Sequence, residues 1–354
     1  MIVKWFGKDI PRSVALTKIL ILLHLKAKQK CGFRRIPSNH RIDLKLHHGI
    51  DSFKSDRKVI LTTGTFDGVH LGHRKILKRL CDKAKKLGGE SVLLTFHPHP
   101  RLVLFPENSD LKLLNSSEEK QQLLEEAGLD HLIVHPFTHD FSRLSSLEFV
   151  RDLLVNKVGI DALVIGYNHH FGRNREGGYE SLTDFAEVFD FEVEEIPAED
   201  LENVNISSTK IRQSLEEGNV ELANSFLGHY YMLHGKVVHG SQKGRELGYP
   251  TANLQVKERY KLIPMDGVYA VEVFRGEKWL PAMMNIGVRP TVDEKKRHSL
   301  EVHLLNFNED LYEKDLKIRF VKRIREERQF QNIEALKEQL DIDRNRTRNI
   351  LVPR

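Results

Sequence analysis

The chain has 354 residues, enough for about two domains, and 40% of them are hydrophobic, which is ordinary for a globular protein. Its formal net charge of +5 suits small anionic substrates but is too low to favour nucleic-acid binding. The only two cysteines, Cys31 and Cys81, exclude a disulfide framework and a cysteine-rich zinc site.

Residues 1–45 are predicted to form an N-terminal extension that is poorly ordered or contains one loose helix. Its apolar run, residues 16–25, is interrupted by Thr17, Lys18 and His24, and it is too short to span a bilayer. Basic residues follow this run directly, without a convincing cleavage site, so we expect no signal peptide. We therefore predict a cytoplasmic protein. We also predict that the residues before Asp43 are dispensable for stability and activity.

Strand-like and helix-like patterns alternate from residue 58 to about residue 197. The predicted strands are residues 59–63, 92–96, 131–134, 162–166 and 191–196. The helices between them begin at capping residues such as Ser116 and Ser145. Strands separated by helices predict an α/β fold with a parallel, doubly wound, Rossmann-like sheet. Polar turns at residues 64–73, 95–100 and 166–172 follow three strands and should converge at the edge where such sheets bind ligands.

The turn at residues 64–73 has the composition of a phosphate-binding site. It reads Gly-Thr-Phe-Asp-Gly-Val-His-Leu-Gly-His and joins a buried strand to the N-terminus of a helix. Glycines let the backbone approach a phosphate, and the helix dipole favours an anion. His70 and His73 can point the same way and stabilise negative charge during phosphoryl or adenylyl transfer. The alternative is a structural turn in which the histidines only cap the helix.

This turn resembles the HxGH signature that adenylyltransferases share with cytidylyltransferases and class I aminoacyl-tRNA synthetases. Residues 206–212 read Ile-Ser-Ser-Thr-Lys-Ile-Arg, and taken alone they fit an ordinary Ser/Thr cap of a helix. They resemble the ISSTxxR segment of adenylyltransferases, and no lysine-rich synthetase loop is present. Residues 95–100 resemble the TFxPHP element of bacterial FAD synthetases. His97 and His99 of this element have no third ligand at metal spacing, so a substrate loop is favoured over a metal site.

Residues 166–172 resemble the G-x-D-x-x-F-G turn of the same family, with Asn168 in place of the usual aspartate. Asparagine keeps the hydrogen-bonding shape without the charge, which puts any charge-dependent or metal-related role here in doubt. The resemblance implies that His70 and His73 are catalytic and stabilise the ATP phosphates. It also implies that ATP is bound by Gly64, Phe66, His70, His73, Asn168, Ser207, Ser208, Thr209 and Arg212.

From residue 228 the sequence predicts a small antiparallel β-barrel or sandwich followed by a helix at residues 333–340. Its predicted strands are residues 231–238, 268–274, 279–286, 299–307 and 316–324. A glycine-rich segment at residues 239–253 ends in Pro-Thr-Ala-Asn and resembles the GRxLGxPTAN signature of riboflavin kinase. A mobile hairpin is the alternative for the glycines alone.

The kinase resemblance implies that this loop binds ATP phosphates through Gly240, Gly244, Gly248, Pro250 and Thr251. Thr251 and Asn253 supply hard oxygen atoms, which suit Mg²⁺.

Glu301 lies on a predicted strand where it shares one face with His303 while apolar residues occupy the other. A carboxylate close to a primary hydroxyl can accept its proton as the oxygen attacks phosphorus. The alternative is a solvated surface glutamate. The resemblance to riboflavin kinase continues through residues 285–291, 300–304, 311–312 and 324–330, and it aligns Glu301 with the catalytic base.

Both halves, from residue 48 to residue 342, resemble the bacterial bifunctional riboflavin kinase/FAD synthetase family. The resemblance implies an FMN adenylyltransferase domain at residues 46–227 and a riboflavin kinase domain at residues 228–354. It implies ATP-dependent phosphorylation of riboflavin to FMN and adenylylation of FMN to FAD, with Mg²⁺ as cofactor. Two alternatives stay open: a kinase with a decayed adenylyltransferase domain, which only Asn168 supports, and a non-catalytic flavin-binding regulator. We expect small-molecule partners and no nucleic acid or membrane, and the oligomeric state is undefined.

Overall fold

The computed structural model describes residues 43–107, 110–198, 206–240, 244, 247–289 and 297–351. The predicted character of the extension, up to residue 42, lies outside these residues. The first described element is strand β1 (Lys45–His48). The sequence predicted no strand here and placed Lys45 in the extension, because these residues show no apolar alternation. Their exposure explains this, since three of the four are exposed in the structure.

Six parallel strands form the sheet of the first half. After β1 they are β2 (Val59–Thr63), β3 (Glu90–His97), β4 (His131–Pro136), β5 (Ala162–Gly166) and β6 (Glu192–Ile196). Their spatial order is β1-β4-β3-β2-β5-β6, and all neighbours pair in parallel. The order of the strands switches direction between β2 and β5, which confirms the predicted doubly wound topology.

Helices cover both faces of this sheet. They are α1 (Leu71–Leu87), α2 (Pro100–Leu104), α3 (Ser117–Glu126), α4 (Ser146–Glu148, continued as a π-helix over Phe149–Val158) and α5 (Tyr179–Phe189). Alternate residues of β2 face different cores: Ile60 packs with α1 and α3, and Leu61 packs with α4 and α5. The predicted caps at Ser116 and Ser145 both form capping boxes, whereas the π-helical geometry was not predicted.

The second half is a closed barrel of six strands in the order β10-β11-β8-β7-β12-β9. The strands are β7 (Met232–Val238), β8 (Ala252–Gln255), β9 (Gly267–Arg275), β10 (Lys278–Arg289), β11 (Arg297–Leu304) and β12 (Asp315–Arg325). Neighbouring strands are antiparallel, which confirms the predicted barrel. Strand β8 was not predicted, because it has only four residues and the first two, Ala252 and Asn253, end the glycine-rich motif.

Two helices, α6 (Ser208–Glu216) and α7 (Val220–Leu227), connect the sheet to the barrel. One buried cluster contains Ile211, Leu215, Val220 and Leu227 of these helices together with Val271, Ile318 and Phe320 of the barrel. Leu114, which precedes α3, is also fully buried in this cluster. The domain boundary near residue 227 stays a prediction, because helices from before it share a core with the barrel.

The C-terminal helix α8 (Ile333–Leu351) is longer than predicted and is held on the barrel by a buried carboxylate. Asp343 is fully buried, and its two oxygens accept hydrogen bonds from Arg325 at 2.9 Å and from Gln339 at 2.8 Å. The side chain of Arg325 is only 15% exposed. Separating the helix from the barrel would therefore leave a largely buried charge without its partner.

We expect Asp343→Ala to lower the free energy of unfolding by about 3 kcal/mol or more, because Arg325 loses the carboxylate that compensates its burial. Urea unfolding followed by circular dichroism measures this change. Glu338→Ala, at an exposed position of the same helix, is the matched control and should change stability by less than about 0.5 kcal/mol. Equal stabilities of the two variants would contradict the role of Asp343.

Candidate functional site

A cleft of about 1490 Å³ lies where the polar turns follow the parallel strands. Its lining comes mainly from residues 62–76, 96–105, 137–149, 166–175 and 206–212, so the structure brings together the three turns that the sequence predicted to converge. The predicted residues that line it are Gly64, Phe66, His70, His73, Asn168, Ser207, Ser208 and Arg212. Thr209 is exposed on α6 and is not part of this lining.

The lining of the cleft is strongly cationic. Its arginines are Arg101, Arg143, Arg173, Arg175 and Arg212. Among the described residues that line it, Asp67 is the only carboxylate, and that carboxylate is paired with Arg212. Such a lining favours ligands that carry several negative charges, as nucleotides and flavin phosphates do.

The turn at residues 64–73 places both predicted histidines at the N-terminus of α1. His70 is the N-cap residue, and its Nδ1 accepts a hydrogen bond from the backbone N–H of His73 at 3.4 Å. The two imidazole rings stack with their centroids 3.7 Å apart. Gly72 makes this possible, since a Cβ atom there would lie only 3.2 Å from Cε1 of His70. The turn is therefore shaped around the histidine pair.

Both histidines are neutral at physiological pH in this structure. Burial lowers the pKa of His70 to about 4. Burial, together with the neighbouring His70 and Lys120, holds the pKa of His73 well below its ordinary value. Because Nδ1 of His70 accepts a backbone hydrogen bond, its single proton must lie on Nε2. His70 therefore offers a neutral N–H donor beside the positive end of the dipole of α1.

Asp67, within the same turn, is a functional candidate that the sequence analysis missed. Its carboxylate is buried, accepts the backbone N–H of Leu114 at 2.9 Å, and lies 2.5 Å from the guanidinium of Arg212. Arg212 also donates to the carbonyl of Lys112 at 2.7 Å. The sequence predicted that Arg212 holds the triphosphate; the structure shows that it holds Asp67, and its role towards the nucleotide stays a prediction.

The start of α6 is hydrogen-bonded to the phosphate-binding turn. Ser207 caps this helix by accepting the backbone N–H of Lys210 at 3.3 Å. The hydroxyl of Ser208 donates to the backbone carbonyl of Asp67 at 2.9 Å. The two segments that the sequence assigned to ATP are therefore in direct contact, although they are separated by more than 130 residues.

An aromatic wall forms the other side of the cleft. It is built by Phe96, Phe137, Phe141, Phe149 and Phe171. Phe141 lies at its centre, with ring centroids 5.3 Å from Phe96 and 5.5 Å from Phe137. Flat aromatic ligands pack well against such rings. The sequence placed Phe96 and Phe171 in two separate motifs, but it did not predict the wall, because its five members come from separate elements.

The turn that carries Asn168 is fixed by its last glycine. Asn168 is exposed at the cleft. Gly172 has φ 74°, and a Cβ atom there would lie 2.7 Å from the backbone nitrogen of Ser146, so only glycine fits. In the TFxPHP segment, His99 caps α2 by accepting the backbone N–H of Arg101 at 3.2 Å. The described residues contain no cluster of three or more His, Cys, Asp or Glu that could hold a metal ion.

A second polar constellation lies on the outer surface of the barrel. Glu301 of β11 is the cross-strand partner of Asn253 on β8 and of Asn285 on β10. These three residues share one face, which is the outer one because Val302, the next residue along β11, is buried in the barrel core. The hydroxyl of Ser299 donates to Oε1 of Glu301 at 3.1 Å. The sequence predicted Asn253 and Glu301, but it missed Asn285 and Ser299.

Two glycines of the glycine-rich segment, Gly240 and Gly244, lie directly against the predicted magnesium ligands. A Cβ atom at Gly240 would lie 1.9 Å from Nδ2 of Asn253, and one at Gly244 would lie 3.1 Å from Oγ1 of Thr251. Gly248 has φ 81°, and Pro250 accepts a hydrogen bond from Nδ1 of His303 at 2.8 Å. These two glycines can lie close to Asn253 and Thr251 because they carry no side chain.

Comparisons with known proteins match both halves. A family model described as FAD synthetase matches residues 52–210, and one described as riboflavin kinase matches residues 227–351. The chain is 36% identical to the bifunctional riboflavin kinase/FMN adenylyltransferase of Pseudomonas fluorescens over 312 residues, which cover 88% of this chain and 99% of that protein. It is 38% identical to the protein of the same name from Escherichia coli K12 over 303 residues, 85% of this chain and 96% of that one.

A solved structure shares the described fold. It is the crystal structure of a protein named as a macrolide-efflux protein from Streptococcus pneumoniae, is 30% identical, and superposes with a TM-score of 0.78. The match covers 87% of this chain and 99% of that one. Within the part of the chain that the structure describes, no helix is both long and apolar enough to span a membrane.

We expect His70→Asn to weaken the acid sensitivity of folding. Asparagine can still cap α1, so the variant should fold at pH 7. The pKa of His70 is about 4 in the folded protein against 6.5 for an unperturbed histidine, so the folded state binds fewer protons and stability falls as the pH drops from 6.5 towards 4. Between these pH values the free energy of unfolding should fall by on the order of 2 kcal/mol more in the parent than in the variant, since one pKa unit is worth about 1.4 kcal/mol.

Urea unfolding at pH 7 and at pH 4.5 measures this difference. His139→Asn, at an exposed histidine of the same half, is the control and should follow the parent. If His70→Asn loses as much stability on acidification as the parent does, His70 is not the neutral buried group described above.

Proposed function

Since this chain belongs to the family of bifunctional riboflavin kinase/FMN adenylyltransferases, we propose that it phosphorylates riboflavin to FMN and adenylylates FMN to FAD. The observation that carries the proposal is the presence of two separate polar sites in one chain. One is the cationic cleft with its histidine pair and aromatic wall, and the other is the row of Glu301 and two asparagines on the barrel. Both reactions consume ATP.

Adenylyl transfer is assigned to the cleft. An oxygen of the FMN phosphate attacks the α-phosphorus of ATP, and pyrophosphate leaves. The neutral imidazoles of His70 and His73, aided by the N-terminal end of α1, donate hydrogen bonds to the phosphate oxygens as charge builds on them. The aromatic wall packs against the flat flavin ring, and the arginines compensate the charges of both substrates. No covalent enzyme intermediate is required.

Riboflavin phosphorylation is assigned to the outer face of the barrel. The primary hydroxyl of riboflavin attacks the γ-phosphorus of ATP, and Glu301 accepts the hydroxyl proton. Ser299 donates a hydrogen bond to Glu301 and so orients the carboxylate. Thr251 and Asn253 fit Mg²⁺, because they present neutral oxygens from one face beside a glycine loop that can admit phosphates. Bound there, the ion would neutralise phosphate charge.

We also propose two domain ranges and a role for the glycine-rich loop. The adenylyltransferase domain corresponds to residues 46–227 and the kinase domain to residues 228–354. Gly240, Gly244, Gly248 and Pro250 would shape the loop over the ATP phosphates. We expect the enzyme to work in the cytoplasm on small molecules, without nucleic-acid or membrane partners.

Incubation of the purified protein with riboflavin, ATP and Mg²⁺ tests the proposal, with FMN and FAD separated by chromatography. We expect both products, with FMN appearing first. FMN without FAD would favour a kinase whose adenylyltransferase half has decayed, a candidate that Asn168 supports. Tight flavin binding without either product would favour a regulator and would contradict the proposed enzyme.

We expect His73→Ala to lower FAD synthesis from FMN by about ten- to a thousand-fold, the range for losing one transition-state donor. Riboflavin phosphorylation should be unchanged, because effects at separate sites are independent. His139→Ala, at an exposed position, is the control and should leave both activities intact. A parallel loss of both activities would show that His73 supports the fold and not adenylyl transfer.

We expect Glu301→Gln to lower the kcat of riboflavin phosphorylation by about a hundred-fold or more, because glutamine keeps the size of the side chain but cannot accept a proton. The KM values for riboflavin and ATP should change little, since the charge acts in the transition state. FAD synthesis from supplied FMN should be intact. Glu309→Gln, at an exposed glutamate of the barrel, is the control. Near-normal turnover would mean that Glu301 is only a solvated surface residue.

A further inference from the structure

A buried lysine of the barrel, Lys261, makes two strong contacts with the first half of the chain. Its side chain is 1% exposed, and its ammonium lies 2.5 Å from Oε2 of Glu119, whose side chain is fully buried. The same ammonium donates to the backbone carbonyl of Leu114 at 2.6 Å and lies 4.3 Å from the ring centre of Tyr231. An ammonium with two close acceptors and no access to solvent has little freedom to move.

Each residue that accepts a hydrogen bond from Lys261 is connected to the phosphate-binding turn by a further hydrogen bond, its own or its neighbour's. The backbone N–H of Leu114 donates to Asp67, so a single residue joins Lys261 to the turn. Lys120, which follows Glu119 on α3, donates its ammonium to the backbone carbonyl of Thr65 at 2.9 Å. Two independent routes therefore run from the barrel to the segment that ends in the histidine pair.

The backbone around these residues is equally fixed. The other oxygen of Glu119 accepts the backbone N–H of His234 on β7 at 3.1 Å. The backbone N–H of Leu113 donates to the carbonyl of Tyr260 at 2.6 Å. The segment that precedes α3 is thus bonded to the barrel on one side and to the phosphate-binding turn on the other.

The phosphate-binding turn needs such support because its backbone is strained. Phe66 has φ 46° and Val69 has φ 38°, values that cost energy for residues other than glycine and especially for a β-branched one. Strained conformations persist only where their surroundings hold them. The hydrogen bonds to Thr65 and Asp67 lie directly beside Phe66 and help to stabilise its strained conformation.

We propose that Lys261 is a positioning residue for adenylyl transfer: from the barrel, it holds Leu114 and Glu119 in place, and through them the turn that aims His70 and His73. This inference rests on the proposed function of the cleft. A displacement of about 1 Å at a reacting centre can cost about a hundred-fold in rate, so a distant support can control turnover. The contacts of Lys261 described above do not include Glu301 or its neighbours, so the kinase does not share this dependence.

Lys261→Met tests the proposal in the full chain, with Lys257→Met as the matched control. Lys257 is a barrel lysine four residues earlier, with its side chain 67% exposed and its ammonium 3.4 Å from Asp315. We expect Lys261→Met to lower kcat for conversion of FMN to FAD by about ten-fold or more, because the histidine pair is displaced. The KM for FMN, which depends on the aromatic wall, and the rate of riboflavin phosphorylation should stay within about two-fold of the parent.

A second variant guards against misfolding, because Lys261→Met alone leaves the buried Glu119 carboxylate without its cationic partner. Lys261→Met combined with Glu119→Gln removes both charges and should show the same selective loss of FAD synthesis. Folded variants with normal FAD synthesis, or with equal losses of both activities, would overturn the proposal. A parent protein that makes FMN but no FAD would overturn the proposed adenylyltransferase as well, which distinguishes the two failures.

Discussion

A carboxylate buried in a protein must be satisfied by nearby donors, and Asp67 takes its donors from two distant parts of the chain. Its oxygens accept from the backbone around Leu114 and from Arg212. The first contact fixes the segment that enters the barrel core, and the second fixes the helix that leads into the barrel. The same residue lies three positions before His70. One side chain therefore bonds the phosphate-binding turn of the cleft to two segments of the junction between the halves.

The two proposed reactions make different chemical demands, and the two sites differ accordingly. The nucleophile of adenylyl transfer is a phosphate, which is already anionic at pH 7, so the cleft needs donors and positive charge more than it needs a base. Its only described carboxylate is engaged by Arg212. The nucleophile of the kinase reaction is a neutral hydroxyl, and there a carboxylate, Glu301, is present. On this argument Asn168 removes no base that the cleft requires, which favours an active adenylyltransferase.

Local signals in the sequence predicted most of the fold. Apolar runs defined β2 and β5, capping residues such as Ser116 defined helix starts, and the motifs located the histidine pair and Glu301. The sequence did not predict β1, which is short and exposed, or the contact of Arg212 with Asp67, which joins residues far apart in the chain. Cross-strand partners such as Asn285 and the aromatic wall were missed for the same reason, because they arise only from tertiary register.

The junction also explains why two domains defined by motifs form one compact body over the described residues between 43 and 351. Leu114 belongs to the first half by sequence but is buried in the core of the barrel. Met232 begins the barrel but packs in a core of the parallel sheet. Each half therefore completes a core of the other. Separating the halves would expose apolar surface on both of them, and it would also break the buried ion pair of Lys261 and Glu119. The two activities are distinct in chemistry, although the two halves share buried cores.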